Sequence, residues 1–280
     1  MAQRSTPANR FKERLRNGEQ LIGLWSTLGD ATVAELLSGC GYDWLLIDAE
    51  HGPNDLRTVL SQIQAIESGE RLLDVERGEL SQPVVRIREA DESLLKQYLD
   101  IGARNLLVPM INSVEEAQVA AEAVRYPPRG SRGVGSGLAR ASGWGRFADY
   151  LGAADAGVCL IVQAETRQAI TNLREIAGVD GVDAVFFGPA DLAADLGHPG
   201  QQSHPDVVAA ITEGIAAAAD AGKPAGIMLT DVTQTQRWLG RGISFAGVGA
   251  DSMLLVRAAE ALLANFRDAR VPTTAGATGA

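Results

Sequence analysis

Eight short apolar runs recur along this chain, and the segments between them show the spacing of amphipathic helices. Each run is continuously hydrophobic, without the alternation of apolar and polar residues that a half-exposed strand shows. Continuous runs indicate strands buried on both faces, as in a parallel sheet covered by helices. The runs cover residues 21–26, 44–48, 83–87, 105–110, 157–163, 184–187, 225–229 and 245–248.

Eight strand–helix units in one chain favour a closed (β/α)8 barrel, the TIM-barrel fold. An open, doubly wound parallel sheet is the alternative, although the chain has no Gly-x-Gly-x-x-Gly at an early strand–helix turn. A single barrel commonly fills about 200–250 residues. We therefore expect one barrel domain over residues 1–270, followed by a disordered tail over 271–280.

Two stretches interrupt the alternation of strands and helices. Residues 67–82 are charged and contain glycine, which is typical of a surface insertion. Residues 125–145 are rich in Gly, Arg and Ser, and a long ordered loop of this kind is usually a lid or an interface. Because no Lys-Ser or Lys-Thr pair follows its glycines in P-loop spacing, a phosphate cradle has little support there.

The charge balance limits the partners of the chain. With 25 Lys and Arg against 35 Asp and Glu, the formal net charge is −10, which argues against nucleic acid or an anionic membrane as main partner. No run approaches the roughly 20 apolar residues of a membrane span, and no secretory signal is readable. The two cysteines, Cys40 and Cys159, suggest neither a disulfide framework nor a metal-binding pair. These features predict a cytoplasmic protein.

Carboxylates stand where two neighbouring strands stop, which in a barrel is the catalytic face. Glu165 and Asp191 together, with other positions left to water and substrate, would suit Mg²⁺, Mn²⁺ or Co²⁺ better than a closed zinc site. The same residues allow a structural interpretation, in which Asp191 caps its own helix and Glu165 pairs with Arg167 in solvent. The local sequence supports both interpretations equally.

Three other ionisable residues are candidates for chemistry. His51 ends the second strand, and an imidazole is suited to general base catalysis, although a structural hydrogen bond would also explain it. Arg86 offers a planar fork for a carboxylate or an enolate oxygen, or for an internal salt bridge to Asp48 or Glu50. Asp100 lies in the last turn of its helix, where the macrodipole disfavours an anion. A histidine partner would offset that cost, and a solvated carboxylate is the alternative.

Segments in consistent order over residues 10–268 resemble the HpcH/HpaI family of class II pyruvate aldolases. They are IGLW at 22–25, DWLLIDAEH at 43–51, PVVR at 83–86, LVPM at 107–110, RYPP at 125–128, RGVG at 132–135, VQAETR at 162–167 and GPADL at 188–192. Within the family, GSGLARAS at 135–142 is most similar to the hydroxyketoacid aldolases.

The resemblance implies a (β/α)8 barrel that exchanges its C-terminal helix between subunits and assembles as a homohexamer, a trimer of dimers. The implied reaction is reversible retro-aldol cleavage of 4-hydroxy-2-oxo acids, such as 4-hydroxy-2-oxoheptanedioate, to pyruvate and an aldehyde such as succinate semialdehyde. The resemblance also implies a role in the catabolism of aromatic compounds. The alternatives are a 2-keto-3-deoxy-sugar-acid aldolase, a citrate-lyase-like enzyme acting on a CoA ester, and a barrel kept as a non-enzymatic scaffold.

The resemblance also implies the catalytic residues and the cofactor. A divalent metal would be bound by Glu165 and Asp191, with Mg²⁺, Mn²⁺ or Co²⁺ expected and Zn²⁺ as the alternative. Arg86 would bind the keto oxygen of the substrate. His51 would be the base, tuned by Asp100 of the neighbouring subunit.

The remaining implied contacts are to pyruvate. Gln163 would hydrogen-bond near the metal, and Trp25 would wall the pocket. The backbone at Gly188, Ala190 and Asp191 would hold the pyruvate carboxylate at a helix N-terminus.

The sequence departs from the family pattern at the 67–82 insertion and at Gln168, where relatives often carry Glu. Neither change affects the implied metal ligands. No lysine ends a strand, since Lys96 lies within a helix and Lys223 begins a loop, and this weighs against a class I aldolase with a Schiff base.

Overall fold

The eight apolar runs form eight parallel strands that close into a barrel, in which the last strand pairs with the first. This is a computed structural model, and it describes residues 4–69 and 80–267. The open sheet is therefore wrong, and the (β/α)8 fold is confirmed. The strands are β1 (Leu21–Ser26), β2 (Trp44–Asp48), β3 (Gln82–Arg86), β4 (Asn105–Val108), β5 (Cys159–Ala164), β6 (Ala184–Phe187), β7 (Ala225–Met228) and β8 (Ile243–Ala250).

Helices connect and cover the strands. Many begin at an Asp, Ser or Thr whose side chain accepts hydrogen bonds from first-turn N–H groups, as Asp30 does ahead of the helix at Ala31–Ser38. None in the described part of the chain is long and apolar enough to cross a membrane. The described helices are α1 (Arg10–Arg16), α2 (Ala31–Ser38), α3 (Leu56–Ser68), α4 (Glu92–Asp100), α5 (Val114–Ala123), α6 (Tyr150–Gly157), α7 (Arg167–Thr171), α8 (Leu173–Gly178), α9 (Pro189–Asp195), α10 (Pro205–Asp220), α11 (Val232–Leu239) and α12 (Asp251–Arg267).

The predicted interruptions of the barrel are only partly within the described residues. Because α3 runs to Ser68 and β3 begins at Gln82, both ends of the 67–82 segment belong to regular elements. Residues 70–79 and the predicted tail at 271–280 lie outside the described residues. The 125–145 loop is present as expected, with one short 3₁₀ turn at Arg140–Ser142.

Two helices were missed by the apolar pattern. Helix α6 has the sequence YLGAADAG, in which two glycines and few large side chains hide the periodicity. Helix α11 has the sequence VTQTQRWL and buries only Thr235 and Trp238. Each shows too few apolar residues at 3.6-residue spacing to predict a helix.

Aromatic side chains fill the barrel interior. Trp25 and Trp44 meet edge-to-face with ring centroids 5.7 Å apart, and Phe186 lies 5.6 Å from Trp25. Two glycines make this packing possible, because a Cβ on Gly23 would lie 2.2 Å from the Trp44 ring and one on Gly247 would lie 2.3 Å from the Trp25 ring. The core thus fixes Trp25 from several sides, beneath the open end of the barrel.

Candidate active site

A cavity of about 400 Å³ opens at the carboxyl ends of the strands. A volume of this size is within the range of about 300–1,000 Å³ that is usual for small-molecule sites. Its lining contains seven of the residues predicted from the sequence, namely Trp25, His51, Arg86, Gln163, Gly188, Ala190 and Asp191. It also contains residues that the sequence did not single out, among them Phe186, Gln202, Met228 and Thr230.

Arg86 is held by two carboxylates at this mouth. Asp48 and Arg86 are register partners on adjacent strands, and the guanidinium donates from Nε to Oδ1 at 3.0 Å and from Nη2 to Oδ2 at 2.6 Å. The Nη1 atom lies 3.0 Å from Glu50 Oε2. Burial acts to lower the pKa of Arg86, but the hydrogen bonds and charge of Asp48 outweigh it and raise the pKa.

The internal salt bridge and the substrate-binding role of Arg86 are compatible. A guanidinium has five N–H groups, and the hydrogen bonds to Asp48 use two of them, whereas the contact with Glu50 Oε2 is an ion pair without a hydrogen bond. The fork is therefore fixed in orientation while it still lines the cavity. The salt bridge from Arg86 to Asp48 or Glu50 that the sequence allowed is thus present with both carboxylates, and Asp48 is the residue that positions the guanidinium.

His51 lies at the rim of the same cavity. Its side chain is 70% exposed, and Nε2 lies 4.0 Å from Glu50 Oε2. The backbone N–H groups of Glu50 and His51 both donate to Asp48 Oδ1, at 3.1 and 3.2 Å. The carboxylate that orients Arg86 thus also orders the loop that carries the candidate base.

Glu165 is buried within the described structure. One carboxylate oxygen accepts the backbone N–H of Met110 at 2.9 Å, and the other accepts from the Gln163 amide. Burial raises the pKa of Glu165, and these hydrogen bonds act against that effect. A solvent pairing of Glu165 with Arg167 is therefore wrong.

Met110 contributes its backbone N–H to the site, and nothing in the sequence was a reason to select a methionine for that role. Its φ is +56°, in the left-handed region that a non-glycine residue rarely adopts. This conformation coincides with the donation of its N–H to Glu165. Backbone strain of this kind, of order 1–3 kcal/mol, concentrates at functional sites.

Asp191 lies in the first turn of α9, which has Gly188 as its N-cap residue. The side chain of Asp191 is exposed, and its charge contributes to raising the pKa of the buried Glu165. A Cβ on Gly188 would lie 2.4 Å from Glu165 Oε2, so any larger residue here would displace the Glu165 carboxylate. The first-turn amides of Ala190 and Asp191 belong to the set that has no intrahelical acceptor.

The residues around Glu165 fit a hard divalent cation. Gln163 is buried and its Oε1 atom has no hydrogen-bond partner in the described structure. Among the described residues, Glu165 forms no ion pair within 4.0 Å, and a buried carboxylate without a counter-charge is costly. Carboxylate and amide oxygens are the ligands that Mg²⁺ and Mn²⁺ prefer. A cation bound there would compensate Glu165 and give Gln163 Oε1 a polar partner.

Asp100 does not line this cavity in its own chain. Its Oδ1 accepts from Arg132 Nη2 at 2.8 Å, and Arg132 lies over the Tyr126 ring at 4.5 Å. Its predicted action on His51 of a neighbouring subunit therefore stays a prediction.

A separate group of possible metal ligands follows α9. The rings of His198 and His204 stack with centroids 3.4 Å apart, and His198 Nε2 lies 2.8 Å from Asp206 Oδ2. None of the three lines the mouth cavity. His204 is the N-cap residue of α10 and Asp206 lies in its first turn, so a cation bound there would lie near the positive end of a helix, which is unfavourable.

Comparison with known proteins agrees with this geometry. The family model described as HpcH/HpaI aldolase/citrate lyase matches residues 21–258. A hydroxypyruvate/pyruvate aldolase of Pseudomonas aeruginosa is 50% identical over 93% of this chain and 94% of its own length. A 4-hydroxy-2-oxo-heptane-1,7-dioate aldolase of Klebsiella pneumoniae is 50% identical over 95% of this chain and 97% of its own.

The crystal structure of an HpcH/HpaI aldolase/citrate lyase family protein from Burkholderia cenocepacia superposes with a TM-score of 0.87 and 42% identity. The match covers 93% of this chain and the whole of that one. The segments that supply the mouth residues, from Trp25 to Asp191, all lie within the range matched by the family model.

Proposed function

The chain belongs to the HpcH/HpaI aldolase/citrate lyase family, and on that premise we propose that it is a class II aldolase, a carbon–carbon lyase. It cleaves 4-hydroxy-2-oxo acids, such as 4-hydroxy-2-oxoheptanedioate, reversibly to pyruvate and an aldehyde such as succinate semialdehyde. The observation that carries the proposal is the convergence of Arg86, His51 and Asp191 on one cavity, beside the buried Glu165. Hydroxypyruvate is a second candidate nucleophile for condensation, because one relative is a hydroxypyruvate/pyruvate aldolase.

A divalent cation is part of the proposal, with Glu165 and Asp191 as the protein ligands and Gln163 beside them. When bound, it would act as a Lewis acid on the pyruvate half and stabilise negative charge there. Mg²⁺, Mn²⁺ and Co²⁺ suit this oxygen-rich set.

Arg86 stabilises the oxygen that becomes negative when the C3–C4 bond breaks. Asp48 fixes the guanidinium before the substrate binds. The N–H groups of Arg86 that Asp48 does not use therefore need no reorganisation during the reaction. The first-turn amides at Ala190 and Asp191 bind the substrate carboxylate, and the Trp25 ring closes the apolar wall of the pocket.

His51 takes the proton from the 4-hydroxyl group as the bond breaks, directly or through a water molecule. C3 of the pyruvate enolate then takes up a proton, either from the His51 imidazolium or from solvent, with which the exposed ring can exchange, and pyruvate is complete. Asp100 of a neighbouring subunit orients the imidazole in this proposal, which makes the complete site dependent on assembly.

A substrate panel tests the reaction. The purified chain, supplied with Mg²⁺ or Mn²⁺, should release pyruvate from 4-hydroxy-2-oxoheptanedioate, measured by coupling pyruvate to lactate dehydrogenase. Its kcat/KM should exceed the values for a 2-keto-3-deoxy-sugar acid and for a hydroxyacyl-CoA ester. Preference for the CoA ester would replace the proposal by a citrate-lyase-like activity, and no release from any substrate would leave a non-catalytic scaffold.

The C-terminal helix supports the proposed hexamer with exchanged helices. From Leu254 to Arg267 every residue of α12 is exposed, including Leu255 at 62% and Phe266 at 67%. Its beginning is anchored, because Asp251 accepts hydrogen bonds from the backbone N–H groups of Thr27 and Leu28. Each such apolar side chain would gain about 1.5–3 kcal/mol on burial, so this helix favours a second copy of the barrel as its cover.

Charging this helix should disrupt the assembly. The double variant Leu255→Arg/Leu262→Arg should shift the mass measured by light scattering from about six chains of 29.5 kDa to a smaller species. Val232→Arg on α11 is the matched control, since Val232 is 68% exposed in an unrelated place. An unchanged mass in the double variant would contradict the exchange. The cytoplasmic location and the role in aromatic catabolism stay predictions.

A further inference from the structure

A second cavity, of about 350 Å³, lies at the amino-terminal face of the barrel, opposite the catalytic mouth. It adjoins Arg104, which directly precedes β4, and Val158, which directly precedes β5. The N-terminal segment at Pro7 forms one wall, and the loop after Arg140 forms another. The two cavities share no lining residue.

Three arginines line this cavity, and two of them have acidic partners. Arg132 pairs with Asp100 at 2.8 Å, and Arg140 pairs with Glu67. Arg104 instead donates from Nη1 to the carbonyl oxygens of Pro7 and Ala8, at 2.6 and 3.2 Å.

Arg104 therefore carries a positive charge that no carboxylate of the described residues neutralises within 4.0 Å. Burial lowers the pKa of Arg104, the more distant charge of Glu67 acts against that effect, and the charge of Arg140 adds to it. The two contacts to carbonyl oxygens come from one terminal nitrogen and leave other N–H groups of the fork available. One anion bound here would balance the charge of the cavity.

The walls of the cavity indicate what kind of anion it would take. Trp144, Phe147 and Tyr150 contribute three aromatic rings, and Leu99 adds an aliphatic surface. An inorganic anion would leave these rings without contact. A planar aromatic body would pack against them while its carboxylate met the Arg104 fork, which is the geometry that a guanidinium recognises best.

The geometry points to a binding site for an aromatic monocarboxylate at the amino-terminal face, separate from the aldolase mouth of the same chain. Arg104 binds the carboxylate, and the Trp144, Phe147 and Tyr150 rings hold the aromatic body. The site shares no lining residue with the mouth cavity of its own chain, so binding, and not turnover, is its direct readout.

Calorimetric titration of sodium benzoate into the full-length protein tests this site. With saturating pyruvate and Mg²⁺ present, benzoate should bind with a stoichiometry of one per chain. Arg104→Gln should weaken binding about ten-fold or more, as loss of a charge-assisted hydrogen bond does. Arg174→Gln should leave it unchanged, because Arg174 pairs with Asp220 on the outer surface.

A second variant separates binding from folding, since Arg104 also contacts Pro7 and Ala8. Trp144 is 58% exposed, so Trp144→Ala should keep the melting temperature and still weaken benzoate several-fold. Acetate should bind at least about ten-fold more weakly than benzoate. The proposal is overturned if benzoate does not bind, or if pyruvate displaces it. It is also overturned if the Arg104→Gln and Arg174→Gln variants bind benzoate equally well, if Trp144→Ala binds it as tightly as the wild type, or if acetate binds as tightly as benzoate.

Discussion

Replacing Arg86 with alanine should lower kcat for pyruvate release by at least about a hundred-fold, as loss of a preorganised oxyanion donor does. The reason is geometric, because the Asp48 carboxylate holds the guanidinium by two hydrogen bonds at the cavity wall. Metal affinity, measured by calorimetry without substrate, should stay within a few-fold of the wild-type value. Near-normal turnover would exclude Arg86 from the reaction.

The Arg86 substitution also removes the partner of a buried carboxylate, and this effect has to be separated from catalysis. Asp48 is 2% exposed, and an unpaired buried charge destabilises a protein by about 3–5 kcal/mol. The double variant Arg86→Met/Asp48→Asn should therefore melt at a higher temperature than Arg86→Ala while it remains inactive. Partial recovery of turnover with added guanidinium in Arg86→Ala would support the direct role of the fork.

The fold was predictable because its defining signal is local. Eight apolar runs such as Trp44–Asp48 are buried on both faces, and that burial requires no knowledge of distant contacts. Helices α6 and α11 were not predictable in the same way, since each is held by a few tertiary contacts such as that of Trp238. The closure of β1 against β8 is a pairing across the whole chain and could only be inferred from the number of units.

The positions of the site residues were predictable, but their environments were not. The alternation placed Arg86, Gln163 and Asp191 at strand ends, and in a parallel barrel these ends meet at one face. Whether Glu165 faced solvent or the interior depended on contacts with Met110 and Gln163, which come from folding. Side-chain type gives no sign of a backbone donor such as Met110.

Chelation should abolish turnover, and Mg²⁺, Mn²⁺ or Co²⁺ should restore it. The isosteric variant Glu165→Gln should weaken Mn²⁺ binding by at least about a hundred-fold, more than the loss of a group outside the coordination shell costs. Manganese binding can be followed by electron paramagnetic resonance without any turnover. The variant should melt at or above the wild-type temperature in the absence of metal, because burial raises the pKa of Glu165 and the ionised form is costly at neutral pH.

A variant in the second group of possible metal ligands serves as the control for the Glu165→Gln experiment. His198→Gln removes one member of the group with His204 and Asp206 and leaves the mouth intact. If the catalytic cation is bound by Glu165 and Asp191, His198→Gln retains metal-dependent turnover and manganese binding at the mouth, whereas Glu165→Gln loses both. If His198→Gln loses metal-dependent turnover and Glu165→Gln keeps it, the catalytic cation lies at the histidine cluster after α9. The raised pKa of Glu165 would then reflect only its burial and would say nothing about a metal. Undiminished activity under chelation would remove the cation from the mechanism and leave Arg86 as the main counter-charge for the enolate oxygen.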